Sequence, residues 1–362
     1  MLQKALVLVF VLAGIAGCMG CGTTSHFVYA TVPDANQVVA YREDPYSGTL
    51  TELSGSPYTV GDGANFLVIH PSGKFMYVAN PGQNENTISL LNIASNGTLS
   101  VGASTSVAPA SLPKVLAMDQ AGKYLYVANA VSNDISVFSI DAGSGQLTPV
   151  AGSPFFINFP PLNIQLTPSG KYLYVSGVSD ENGEIEGYSL NAGVIQTQPP
   201  VARTSSNGLS PNGLAVDPGG TYLYVANTGS NSISIFKIAS TGALTEVQGS
   251  PLGDSYNDPV SLTVDPTGKY LYVANQGSNN VSVYSTSSSG LPVALTTSTS
   301  TYAFSTETTP TVLSVDPNGG YLFVGNQGSS AGIQAFGIFS GNLNPLLTYG
   351  VASTPSSIAV LQ

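Results

Sequence analysis

The chain has 362 residues and a net charge of −11, and only 8% of its residues are charged, well under the roughly 25% of an average soluble protein. Its nine Lys and Arg are scattered, which excludes a nucleic-acid partner, because binding a polyanion draws on clustered cations that displace counterions. A hydrophobic content of 42% with 19 Tyr excludes a disordered chain, and 40 Gly and 24 Pro between short β-type runs predict a turn-rich all-β protein.

The first element reads as an export signal. Lys4 supplies a positive charge, and Ala5 to Ile15 form an apolar stretch too short to span a bilayer comfortably. Ile15-Ala16-Gly17-Cys18 resembles the lipobox of bacterial lipoproteins. That resemblance implies a signal peptide over 1–17, acylation of Cys18, and a tether over 18–26 that holds the body close to a membrane of the cell envelope. Two other readings stay open. Cys18 and Cys21 could form a CxxC redox or metal pair, or an ordinary signal peptide could remove both.

From residue 27 one phrase recurs seven times: Phe27-Val-Tyr-Ala30, Phe75-Met-Tyr-Val78, Tyr124-Leu-Tyr-Val127, Tyr172-Leu-Tyr-Val175, Tyr222-Leu-Tyr-Val225, Tyr270-Leu-Tyr-Val273 and Tyr321-Leu-Phe-Val324. The third residues, from Tyr29 and Tyr77 to Phe323, lie 48 to 51 positions apart. A period of that size built from short strands marks a propeller. The fifth copy shows one unit. Pro211 to Val216 is strand A, and Asp217-Pro-Gly-Gly220 is a turn with Asp and Pro in their preferred slots. Tyr222 to Ala226 is strand B, Ser232 to Ile238 strand C, Leu244 to Val247 strand D, and Gly249-Ser-Pro251 closes the unit. Four antiparallel strands per unit predict a blade whose two faces must both be buried by neighbours, so the units close into a ring. On strand B the tyrosines should face one neighbouring blade, and Leu and Val the other. Strand A of the first unit is missing before Phe27, and Pro355-Ser-Ser-Ile-Ala-Val360 matches it. The tail is therefore expected to complete the first blade and remove its exposed edge. The expectation is an all-β, seven-bladed β-propeller, a single domain over 27–362.

The phrases Tyr77-Val-Ala-Asn80, Tyr126-Val-Ala-Asn129, Tyr224-Val-Ala-Asn227 and Tyr272-Val-Ala-Asn275 resemble those of the YVTN-repeat propellers. The whole unit is similar to the seven-bladed lactonase family, which includes one class of 6-phosphogluconolactonase, and the resemblance covers residues 27–362. It implies a lactone-cleaving site at the mouth of the central channel, with His there, often in a His-Pro-His phrase, and Arg and Glu close by. This chain has no such phrase.

Alignment of the units puts the residue after the strand-A proline, replaced by Ala64 in the second unit, at the mouth: Asn65, Lys114, Leu162, Asn212, Val260, Thr311 and Ser356. Of these, Asn65, Lys114, Asn212 and Thr311, with Arg203 from the loop before the fifth unit, are the candidate ligand-binding residues. Lys114 is the one charged member of the ring, able to hold an anion or to pair with a nearby acid. The top loops hold Asp62, Glu85, Asp134, Asp180, Glu181, Glu184, Asp254, Asp258 and Glu307, whereas Lys74, Lys123, Lys171 and Lys269 fall in A–B turns on the opposite face. No cofactor is required, and Asp180, Glu181 and Glu184 are the run where clustered oxygens could hold Ca²⁺. The fourth unit departs from the repeat there, with Ser176-Gly177 in place of Ala-Asn. His70 and His26 take structural slots away from the mouth.

These features predict a monomeric, exported, membrane-anchored module whose acidic, Asn- and Tyr-lined top face binds a ligand, protein or carbohydrate without chemistry. The alternatives are a lactone hydrolase acting at the mouth and a structural spacer of the envelope.

Overall fold

The computed structural model describes residues 25–82, 85–107, 111–179, 182–196, 200–253, 257–287, 289–295, 303–328 and 331–362. Seven antiparallel sheets follow one another, five of them five-stranded and two four-stranded, and no α-helix occurs among the described residues. In blade 5, strand A (Pro211–Val216), strand B (Tyr222–Asn227) and strand C (Ser232–Ile238) pair in order, and strand D is split into Leu244–Glu246 and Leu252–Gly253, both paired to strand C. The split accommodates the Gly-Ser-Pro phrase. The Ile235 amide donates to Ser250 Oγ at 2.9 Å, and Ser56 and Ser153 accept the same bond from Ala40 and Val137 in blades 1 and 3.

The tail closes the ring as expected. Ser357–Leu361 pairs with His26–Val32, setting Val28 against Val360 and Tyr29 against Ala359. The first blade is thus built from both ends of the described chain, and the inner edge of His26–Val32 is covered.

Strand B explains the aromatic repeat. Leu173 and Val175 pack with Tyr126 of blade 3, while Tyr174 packs with Leu223 and Val225 of blade 5, the two-sided burial that the alternation predicts. The first aromatic of the phrase seats the glycine of the next blade's C–D turn. Gly97, Gly145, Gly193, Gly242, Gly290 and Gly341 lie against Phe27, Phe75, Tyr124, Tyr172, Tyr222 and Tyr270, and Gly48 of blade 1 lies against Tyr321 of blade 7. All seven glycines have positive φ, and a Cβ on any of them would fall within 2.2 to 2.7 Å of a ring carbon. Glycine is required here twice over, for the left-handed turn and for the close approach. The third aromatic adds hydrogen bonds across the same joint. Tyr29, Tyr77 and Tyr174 donate to the carbonyls of Gly97, Gly145 and Gly242 at 2.7 to 2.8 Å.

The A–B turns define the bottom face. Asp217 Oδ1 accepts the amides of Thr221 and Tyr222, and Asp119, Asp265 and Asp316 act alike in their own blades. His70 occupies this slot in blade 2. Its Nδ1 accepts the Ser72 amide at 3.0 Å, and its Nε2 lies 2.9 Å from the Gly122 carbonyl of blade 3.

Candidate functional site

The seven A strands surround a central channel of about 510 Å³. Its lining residues include apolar side chains such as Phe66, Leu116 and Val312, with Asn163, Gln165 and Ser261 among the polar ones, and none of them is charged.

At the channel mouth the chain does what the repeat alone does not reveal. In blades 3 to 7 a β-bulge falls on the residue after the strand-A proline: Lys114, Leu162, Asn212, Val260 and Thr311 are skipped by the pairing register. A bulge leaves its extra residue out of the ladder and re-aims its side chain. The proline, which lacks an N–H, begins each of these strands. The preceding residue is left-handed in four of these blades, at Leu112, Ser210, Asp258 and Thr309.

Most polar groups of the mouth are spent on holding the ring together. Asn65 donates to the Lys114 carbonyl at 3.0 Å, Asn163 to the Asn212 carbonyl at 2.7 Å, and Thr311 to the Pro355 carbonyl at 2.7 Å. Ser356 donates to the Asn65 carbonyl at 2.5 Å, and Asn212 donates to Thr228 Oγ1 at 2.8 Å. Each bond links neighbouring blades or braces one, so these side chains are oriented by the fold. A second set of asparagines ties the loops. Asn36, Asn86, Asn231 and Asn279 accept the amides of Gly63, Leu112, Asp258 and Thr309 from the loop entering the next blade.

Lys114 is the exception. It is half-buried, has no carboxylate within 4.0 Å among the described residues, and burial holds its ammonium below the ordinary lysine pKa. The alternative of pairing with a nearby acid is not met among those residues.

Several expectations need correction. Arg203 is not at the mouth: it belongs to the outermost strand of blade 4, Ala202–Ser205, which returns along strand C after the loop. There it pairs with Glu184 and lies 3.6 Å from Glu186. Glu184 is accordingly engaged by a cation of the protein itself and does not stand free for Ca²⁺, while Asp180 and Glu181 lie outside the described residues, as do Cys18 and Cys21. The top face is not lined by the repeated Asn and Tyr either. Asn80, Asn129, Asn227 and Asn275 are fully buried, their amides donating to strand-C side chains such as Ser89, Ser136, Ser234 and Ser282. The third-position tyrosines of strand B, Tyr29, Tyr77, Tyr126, Tyr174, Tyr224 and Tyr272, are equally buried. Asp134 is no solvated loop acid, since it is buried and accepts the Asn129 amide at 2.6 Å. The break in the fourth repeat has a packing cause, because a Cβ at Gly177 would meet the ring of Phe159 at 2.2 Å.

Sequence reasoning missed Glu186, a fully buried carboxylate held by Asn158 at 2.6 Å and by the Tyr188 hydroxyl. Its signal was an acid at an inward position of strand C. It also missed that His26 meets Glu43 and Asp316 on the bottom face. Burial, with the neighbouring Asp316 and Asp44 carboxylates, pushes the Glu43 carboxyl up to about 8.

The family described as lactonase, 7-bladed beta-propeller, matches residues 26–159, 161–300 and 257–360. The chain belongs to this family. As a lactonase-family propeller it superimposes on a candidate 6-phosphogluconolactonase from Bacteroides fragilis with TM-score 0.79 and 20% identity, covering 94% of this chain and 99% of that one. A periplasmic gluconolactonase from Pseudomonas aeruginosa gives TM-score 0.77 and 19% identity over 93% and 99% of the two chains. A protein from Lactobacillus plantarum gives 0.76 and 21% over 93% and 99%. At these identities the likeness to this lactonase-family chain is one of fold alone. No curated protein matches it in sequence.

Proposed function

We propose that this lactonase-family propeller is exported, anchored in a membrane through Cys18, and binds a small anionic ligand at the channel mouth without turning it over. The observation that carries the reading is Lys114, a desolvated ammonium with no carboxylate beside it among the described residues, on a bulge at the mouth of an uncharged channel. Burial disfavours its charge, and an arriving anion offsets that cost, so anion binding and charge on Lys114 favour each other. General base catalysis needs a titratable group within hydrogen-bond reach of the attacking water. The mouth asparagines and hydroxyls are neutral and engaged in blade-to-blade bonds. A polyhydroxylated carboxylate such as an aldonic acid fits this combination of one cation and neutral hydrogen-bonding groups. Calorimetric titration of gluconate tests it: binding that Lys114→Met removes supports the reading, and absence of any heat overturns it.

Lactone hydrolysis is the second reading, favoured by the family and by an amine whose lowered pKa leaves it closer to a neutral, reactive form. It requires acid release from a lactone panel above the spontaneous rate, lost in the same variant.

A further inference from the structure

The joint between the first and last blades, on the bottom face, holds a cluster that mouth chemistry does not use. His26 opens strand B of blade 1, Glu43 ends strand C directly opposite it in register, and Asp316 stands in the A–B turn of blade 7. All three are buried, with exposures of 2%, 1% and 1%. His26 Nδ1 lies 3.5 Å from Glu43 Oε2 and 3.7 Å from Asp316 Oδ2. Nδ1 and both Glu43 oxygens have no hydrogen-bond partner among the described residues.

We propose that His26, Glu43 and Asp316 form a binding site for a divalent transition cation of the zinc type, which clasps the first blade to the last. Three observations converge on it. The spacing is that of ligands around a cation. At bond lengths of ~2.0–2.2 Å the corners of a tetrahedron lie about 3.3–3.6 Å apart, whereas a hydrogen-bonded His–carboxylate pair would close to about 2.7–2.9 Å. The donor set is one imidazole nitrogen and two carboxylates, which suits zinc-like ions; Ca²⁺ takes oxygen ligands alone. Finally, Nδ1 and the Glu43 oxygens are buried without a hydrogen-bond partner among the described residues, a state that calls for an explanation, and one ligand atom from each of the three residues lies within 4.8 Å of the other two.

The surroundings complete the site. The Asp316 carboxylate accepts the amides of Asn318 and Tyr321, which fix its orientation. His26 Nε2 lies 3.0 Å from the Asn318 side-chain amide. The atom facing Nε2 is the amide nitrogen, and the Asn318 carbonyl oxygen accepts from Gln362 at 3.3 Å. A cation held by Nδ1 therefore requires the Asn318 amide to turn its carbonyl to Nε2, which then carries the proton. A cavity of about 250 Å³ lined by Ser25, Arg42, Glu43, Asp44 and Thr49 lies beside Glu43.

The test uses the full-length chain stripped with a chelator. Zn²⁺ is expected to bind with one equivalent and, at about 100 times its Kd, to raise the melting temperature by several degrees; Glu43→Gln and His26→Gln lose both the binding and the shift. Metal-free Glu43→Gln should melt no lower than the wild type, because neither Glu43 oxygen makes a hydrogen bond among the described residues that the substitution would break. The clasp is overturned if Zn²⁺ leaves the wild type unmoved, if Glu43→Gln responds equally, if Ca²⁺ acts in its place, or if metal-free Glu43→Gln is less stable. Asp316 is left unaltered because its carboxylate also holds the turn.

Discussion

Gly242→Ala probes how the blades are joined. Gly242 has φ of +85°, and an added Cβ would stand 2.4 Å from Tyr172 Cδ1 and 2.9 Å from Val201 Cγ2. The left-handed backbone costs a non-glycine residue about 1–2 kcal/mol, and overpacking against the half-buried Tyr172 ring about 1–3 kcal/mol more. If the turn withdraws, the bond from the Tyr174 hydroxyl to the Gly242 carbonyl is lost as well, at about 1 kcal/mol. The expected loss is therefore about 3–6 kcal/mol, a large share of the ~5–15 kcal/mol that stabilises a typical domain. Two controls divide the sum. Gly170 has φ of +66° but nothing within 4 Å of its Cβ position among the described residues, so Gly170→Ala should show the backbone cost alone. Gly350 is a strand residue with nothing within 4 Å of its Cβ position among the described residues, and Gly350→Ala should be neutral or slightly stabilising. Urea unfolding followed by tyrosine fluorescence gives the order. Equal losses for Gly242→Ala and Gly170→Ala would show that the ring contact does not join the blades.

Tyr174→Phe should cost about 1 kcal/mol, whereas Tyr272→Phe should cost nothing measurable, since the buried Tyr272 hydroxyl has no hydrogen-bond partner among the described residues and blade 7 carries Phe323 at this position. Melting curves separate the two, and a larger loss at Tyr272 would contradict the bonding scheme. Lys114→Met should stabilise the protein at pH 7, because it removes a half-buried charge without a carboxylate beside it among the described residues. The folded-state pKa of Lys114 lies below its unfolded value, so the folded protein binds fewer protons between the two and wild-type stability rises with pH there. The gap to Lys114→Met should thus narrow between pH 7 and pH 10, and a gap that widens would place a cation-stabilising partner beside Lys114. Removing residues 355–362 strips strand A from blade 1 and bares the edge of His26–Val32. The truncated chain should aggregate or lose its cooperative transition, and an unchanged melting profile would refute closure by the tail.

The ring, its closure and its two faces were legible because the repeat marks turns, and turns fix which strand ends share a face. Asp217, Asp265 and Asp316 share a slot, so the bottom face followed from them, and the mouth followed from the prolines. Arg203 was misplaced because the loop after Leu190 looks continuous in sequence, yet residues 202–205 return as an edge strand. The repeated asparagines misled for a different reason. Polarity suggests exposure, whereas the Asn227 side chain is buried under its loop and holds Ser232 and Ser234 in place. The bulge at Lys114 leaves no trace in composition. The cluster of His26, Glu43 and Asp316 joins positions nearly the length of the chain apart, and only closure of the ring brings them together.

The mouth is tested most directly by titrating gluconate into the full-length protein and its Lys114→Met variant by calorimetry, with glucono-lactone supplied in parallel under a pH indicator. Saturable gluconate binding that vanishes in the variant, with acid release no faster than the spontaneous rate, is the expected result. Lactone turnover by the wild type that Lys114→Met abolishes would contradict it and make the channel mouth an active site.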